Sequence, residues 1–173
     1  MKKFVAILMA AMLVLASVSA LAANSVTPSD TTTVAEPTVF VIVDHDAVAQ
    51  DYVNKLNEAA DQVAVFTEPV QEAIKANVAD KAVAYQLVAL RAPGWDQKSE
   101  ASLVLEFDTA YKAGAKVCAV LVTVTGGAIE ENVLTASVPE DYKVSTYWPV
   151  DMMQKIWDSE ESFIVIMSEE IAE

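Results

Sequence analysis

The chain is poor in the residue types that most metal and nucleophile chemistry uses. Of its 173 residues one is cysteine, Cys118, and one is histidine, His45. A single cysteine excludes an intrachain disulfide and any multi-cysteine metal or cluster site. A single histidine excludes His-rich metal centres. Four glycines leave nothing from which to build a phosphate-cradling loop, and Thr125-Gly126-Gly127-Ala128 has neither the lysine nor the spacing of one. No Gly-x-Ser-x-Gly elbow is present. Basic residues are also scarce. There are 11 against 25 acidic ones, and two of the 11, Lys2 and Lys3, sit at the N-terminus. So acidic a chain is repelled by nucleic acid and by anionic membrane surfaces. It is not composed for disorder, because 54% of it is hydrophobic, enough to build a core.

What is present begins with an export signature. Lys2 and Lys3 form a positive start, Phe4 to Val18 an uncharged apolar run, and Ala20-Leu21-Ala22 a small-residue exit. Residues 1–22 therefore read as a cleavable signal peptide, with no membrane span left after cleavage and a secreted or cell-surface destination. The competing reading is a retained anchor, since Phe4 to Ala23 approaches spanning length. No cysteine follows the run to take a lipid. Residues 23–38, rich in Ser, Thr, Asp and Pro, read as a flexible linker. Residues 39–173 are left as one domain.

Within that domain the hydrophobic period changes once. Val39 to Val43 is a short β-branched run, a strand or a lead-in to a helix. Asp44 and Asp46 offer capping oxygens, and Val48, Tyr52, Val53, Leu56, Ala60 and Val63 recur at helical spacing, which predicts a helix over 47–62. Thr67 and Pro69 open a second helix over 68–78, with Val70, Ala73, Ile74 and Val78 as its buried stripe. From there the period is two: strands are expected over 83–90, 102–108, 117–124, 132–138 and 143–147. Val117 to Val124 is apolar on both faces, so it belongs at the centre of a sheet covered on both sides. Gly126-Gly127 suits a hairpin turn. Pro149 opens a short helix with Val150, Met153, Ile156 and Trp157 on one side, and Phe163 to Met167 is a last strand. The expected fold class is α+β: an N-terminal helical pair followed by a small, mainly antiparallel sheet or sandwich with one crossover helix.

Several segments together resemble a family of small, exported, acidic proteins of anaerobic Gram-positive bacteria that carry a domain of unknown function. They are the helix Ala47 to Asn57, Pro69-Val70-Gln71-Glu72-Ala73-Ile74, the stretch Leu105 to Val117, and the final apolar strand followed by Ser168-Glu169. The family has no assigned activity. The resemblance implies export and a compact domain, and it carries over no functional residue.

Candidate chemistry is thin. Asp44-His45-Asp46 is the one place where an imidazole meets carboxylates, as a general base or metal ligand would require. The plainer reading is a helix cap beside a solvated histidine, because adjacent residues on a cap rarely converge on one atom. Cys118 lies in the most apolar run and reads as a small buried hydrophobe. The pairs Glu130/Glu131, Glu140/Asp141, Glu160/Glu161 and Glu169/Glu170 could ligate calcium through hard oxygens or serve as a glycosidase pair. All fall in expected turns or termini, where charge is solvated, and no EF-hand spacing occurs.

No catalytic or metal-binding residue is therefore assigned. Trp95, with Asp96 beside it in a Pro-Gly loop, and Trp148 are the candidate ligand-binding residues, because aromatic faces stack on sugar rings. Tyr147 and Trp157 are further aromatics of interest. The plainer reading puts Trp157 in the helix–sheet core and has Trp95 or Trp148 pin a loop. The function expected is that of a non-enzymatic exported domain binding an extracytoplasmic protein or a cell-surface polymer. The alternatives are a carbohydrate-binding module or a carboxylate-pair hydrolase.

Overall fold

The computed structural model describes residues 39–107 and 111–169, and the backbone of two short strands, β1 (Thr27–Pro28) and β2 (Thr33–Val34). The expected signal peptide and most of the expected linker lie outside the described residues. Apolar β-branched runs build β3 (Val41–Ile42), β4 (Val83–Arg91), β5 (Ala101–Glu106), β6 (Val117–Thr125), β7 (Ala128–Glu140), β8 (Lys143–Trp148) and β9 (Glu161–Ser168). Three helices join them: α1 (Ala47–Glu58), α2 (Glu68–Asn77) and α3 (Val150–Asp158).

The seven strands β3 to β9 form one antiparallel sheet in the order β3-β4-β9-β6-β7-β8-β5, with β1 and β2 at its margins. The 13-residue β7 is why there is one sheet rather than two. Its first half pairs with β6, from Thr125↔Ala128 to Ala119↔Leu134, and its second half pairs with β8, from Thr135↔Tyr147 to Glu140↔Lys143. The sheet thus curls into a half-barrel. Gly126 and Gly127 both have positive φ, at 58° and 77°, as the two-residue turn between β6 and β7 requires.

Two cores result. Inside the curl, Leu90, Leu121, Ile164 and Ile166 meet Leu103, Leu105, Val144 and Trp148 from the returning strands, closed by Phe40 and by Met153 and Ile156 of α3. Outside it, Leu87, Val120, Val122, Phe163 and Val165 are covered by Tyr52, Val53 and Leu56 of α1 and by Val70 and Ile74 of α2. The central strands β6 and β9 are consequently buried on both faces.

This corrects the expected α+β class. Among the described residues the fold is mostly β, and there is no N-terminal helical pair. The expected first helix stops at Glu58, and a 3-10 turn, Gln62–Val65, separates it from α2. Each helix lays its apolar stripe on the outer face of the sheet instead of on the other helix. Gln62 fixes this turn: its amide donates to Leu56 O at 3.1 Å and accepts from Ala84 N–H at 2.7 Å.

Candidate functional site

The segment Asp44-His45-Asp46 runs alongside β4. Val43 N–H donates to Ala89 O at 3.0 Å, and two residues on, His45 Nε2–H donates to Leu87 O at 3.2 Å. The imidazole thus continues the edge ladder by a side-chain bond, which corrects the expected solvated histidine. Asp46 caps α1, accepting from Ala49 N–H at 2.9 Å. Across from it stands Glu161 at the start of β9. The one arginine of the chain, Arg91, ties β4 to the same strand by donating to Ser162 Oγ at 3.2 Å and to Glu160 O. A hydrogen bond shared with Asp46, then desolvation and the Asp46 charge, hold the Glu161 carboxyl above its usual range; Glu160 adds to this and Arg91 opposes it. Among the described residues no group of three or more His, Cys, Asp or Glu is placed to hold a metal ion.

The sign of the pH effect follows. A carboxyl whose folded-state pKa is raised stabilises the fold most below its ordinary value, and that contribution is lost as pH rises through the folded-state value. Glu161→Gln can donate its amide N–H toward Asp46 without taking up a proton from solvent. Its melting temperature is expected to exceed that of wild type at neutral pH, with the difference shrinking toward about pH 4.5. Thermal melts across that range check it, and a lower melting temperature for the variant at neutral pH would refute it. Asp96 and Glu130, held low by hydrogen bonds from Ser99 and Lys155 respectively, lose stability on acidification in both proteins and cancel in the comparison.

The expected acidic turns also differ. Glu130 and Glu131 lie inside β7, where neighbouring side chains point to opposite faces. Glu130 pairs with Lys155 of α3. Glu131 accepts Tyr52 O–H at 2.6 Å, Thr67 N–H at 2.7 Å and Thr67 O–H at 2.8 Å. Asp141 accepts from Ala113 N–H at 2.8 Å, Glu140 pairs with Lys143, and Glu169 pairs with Lys116.

The candidate ligand-binding residues are not brought together on a surface. Trp148 is 0% exposed, tilted against Phe40 with ring centroids 4.9 Å apart, and its indole donates to Thr146 Oγ1 at 2.8 Å. Trp95 is buried and pins its loop, donating to Ser99 O at 2.6 Å. Asp96 is exposed, but its carboxylate holds the same loop through Lys98 N–H, Ser99 N–H and Ser99 O–H. Neither buried indole has a face free for a sugar ring.

Trp157, expected in the core, is instead 40% exposed and leans on Trp95 at 6.1 Å. The signal lay in the helical wheel. At about 100° per residue, Val150 and Trp157 sit beside each other and to one side of Met153 and Ile156. The core takes only Met153 and Ile156, and Val150 and Trp157 remain outside it.

Cys118 is buried, as expected, and burial pushes its thiol up to about 12, which suppresses the thiolate. It lines a groove of about 320 Å³ between α2 and the sheet, with Ala73, Asn77, Val133 and Thr135. The groove sits where β7 parts from β6: pairing stops at Ala119↔Leu134, and the next hydrogen bond toward the start of β6 is Gly114 N–H to Val138 O. No helix among the described residues is long and apolar enough to cross a membrane. No protein-family model, curated protein or solved structure matches the chain.

Proposed function

We propose that the chain is a non-enzymatic binding or interaction domain that works outside the cytoplasm, exported through its N-terminal signal and meeting another extracytoplasmic protein or a cell-surface polymer. The export reading rests on the leader pattern from Lys2 to Ala22, and the resemblance to small exported acidic proteins agrees with it. The observation that carries the binding reading is Trp157, an indole 40% exposed and supported from the protein side by Trp95. Half-exposed tryptophans on a rigid support supply contact area at low entropic cost, and tryptophan is enriched where interfaces concentrate their energy.

Retention on the immobilised chain from envelope and culture-supernatant fractions tests this. Wild type is expected to retain a partner that Trp157→Ala does not. A chain that retains nothing, or a variant that retains as much as wild type, overturns the reading.

A further inference from the structure

We propose that the solvent side of α3, from Val150 to Trp157, is a docking surface for a cationic polypeptide segment, with the Trp157 indole receiving a lysine or arginine side chain. The inference rests on the reading of the chain as an interaction domain and adds the place and the chemistry of the partner. Val150 and Trp157 are 43% and 40% exposed. Seven residues apart, they lie two helical turns from each other on one face, about 10 Å along the axis. Between them Gln154 is exposed and donates to Asp158 at 2.8 Å. The apolar arc of α3 is therefore wider than the core beneath it needs.

The surroundings of this strip are acidic. Asp151 and Asp158 are exposed on the helix itself, Glu160 follows it, and Asp96 adjoins the indole that supports Trp157. Trp157 also stands in the last turn of α3, where the helix dipole places partial negative charge. Of the nearby basic groups, Lys155 pairs with Glu130, and Arg91, held by Ser162 Oγ and the Glu160 carbonyl, keeps its charge beside Glu161. Lys98, on the Trp95 loop, lies two residues from Asp96. An exposed indole with carboxylates on its own helix and on the loop that supports it attracts a cation twice over, through the ring quadrupole and through Coulomb's law. The whole chain adds to this, with 25 acidic residues against 11 basic ones, so it steers cationic partners inward and anionic ones away.

The test is titration of the full chain with a short glycine-serine peptide carrying several arginines, followed by NMR of the three indole N–H signals. Two of them are spoken for, since Trp95 donates to Ser99 O and Trp148 to Thr146 Oγ1. The arginine peptide is expected to move the Trp157 signal and leave those two in place. Trp157→Ala weakens binding about fivefold or more, and Trp157→Phe less. Asp151→Asn with Asp158→Asn weakens it at low salt, and the difference fades at high salt. The proposal is overturned if the arginine peptide does not bind, if it binds no better than the same peptide built with glutamate, or if the Trp157→Ala chain binds unchanged. Should a neutral peptide or a glycan move the Trp157 signal instead, the cationic class fails while the interaction-domain reading stands. Should no probe or extracellular fraction bind anywhere, both fail.

Discussion

Trp148→Ala is expected to lower the unfolding free energy by about 3–5 kcal/mol, the range for removing a fully buried large aromatic. The indole is 0% exposed inside the curl of the sheet, packed on Phe40 and bonded to Thr146, whose hydroxyl donates in turn to Leu103 O at 3.3 Å. Truncation empties the place where β8, β5 and the Phe40 segment meet. Against a total stability of about 5–15 kcal/mol, such a loss leaves a marginal protein. Trp148→Phe keeps much of the ring and gives up the hydrogen bond, so about 2 kcal/mol is expected. Urea denaturation followed by far-UV circular dichroism measures both, with the slope unchanged if only stability has moved. A loss under about 1 kcal/mol for the alanine variant would mean that the indole is not packed as described. Trp157→Ala is the contrast. Its ring is 40% exposed, so its loss should cost binding far more than stability.

The three tryptophans also show what the sequence could and could not disclose. Period and composition placed the strands well. Val117 to Val124 has no polar face, so it had to be covered on both sides, and β6 contributes to both cores, as β4 and β9 do. The apolar stripes of α1 and α2 were equally legible, but a stripe states only that something covers it. Tyr52, Val53 and Leu56 would serve as well against Val70 and Ile74 as against Phe163 and Val165. The long-range pairing of β4, β9 and β6 decided for the sheet. The start of β7, before the expected strand at 132–138, was hidden for a different reason. Glu130-Glu131 looked like a solvated turn because two adjacent carboxylates break the alternation of apolar and polar residues. In a strand the two point to opposite faces, and here each face supplies a partner: Lys155 on one, Tyr52 and Thr67 on the other. Those partners are 25, 79 and 64 residues away in the chain, beyond the reach of any local pattern.

Glu131→Ala is expected to cost about 2–3 kcal/mol, well above the half kilocalorie typical of a surface change. Thr67 precedes α2 but makes no capping bond within that helix. Its hydroxyl and its N–H both turn to Glu131, so this carboxylate anchors the start of α2 from another element and puts negative charge near the positive end of the helix dipole. The other Glu131 oxygen takes the Tyr52 hydroxyl, whose ring is buried between Phe66 and Phe163, at 6.4 and 5.2 Å between centroids. One side chain therefore clamps both outer helices to β7, and alanine leaves the donors of both without their acceptor. Glu131→Gln keeps an acceptor for Thr67 and can donate to the Tyr52 oxygen, so about 1 kcal/mol is expected. A double-mutant cycle with Tyr52→Phe should return a coupling of about 1 kcal/mol.

The same contact predicts an alkaline limit. Burial first, then the bond to Glu131 and the charges of Glu131 and Asp51, raise the Tyr52 hydroxyl above its ordinary value of 10.0. The unfolded chain gives up that proton before the folded one does, so stability is intact below that value and falls as pH climbs past it. Tyr52→Phe should make the fall shallower without abolishing it, because burial also raises the Tyr111 hydroxyl. Equal alkaline slopes in wild type and Tyr52→Phe, or a Glu131→Ala loss no larger than that of Glu131→Gln, would show that β7 does not hold the two helices through this carboxylate.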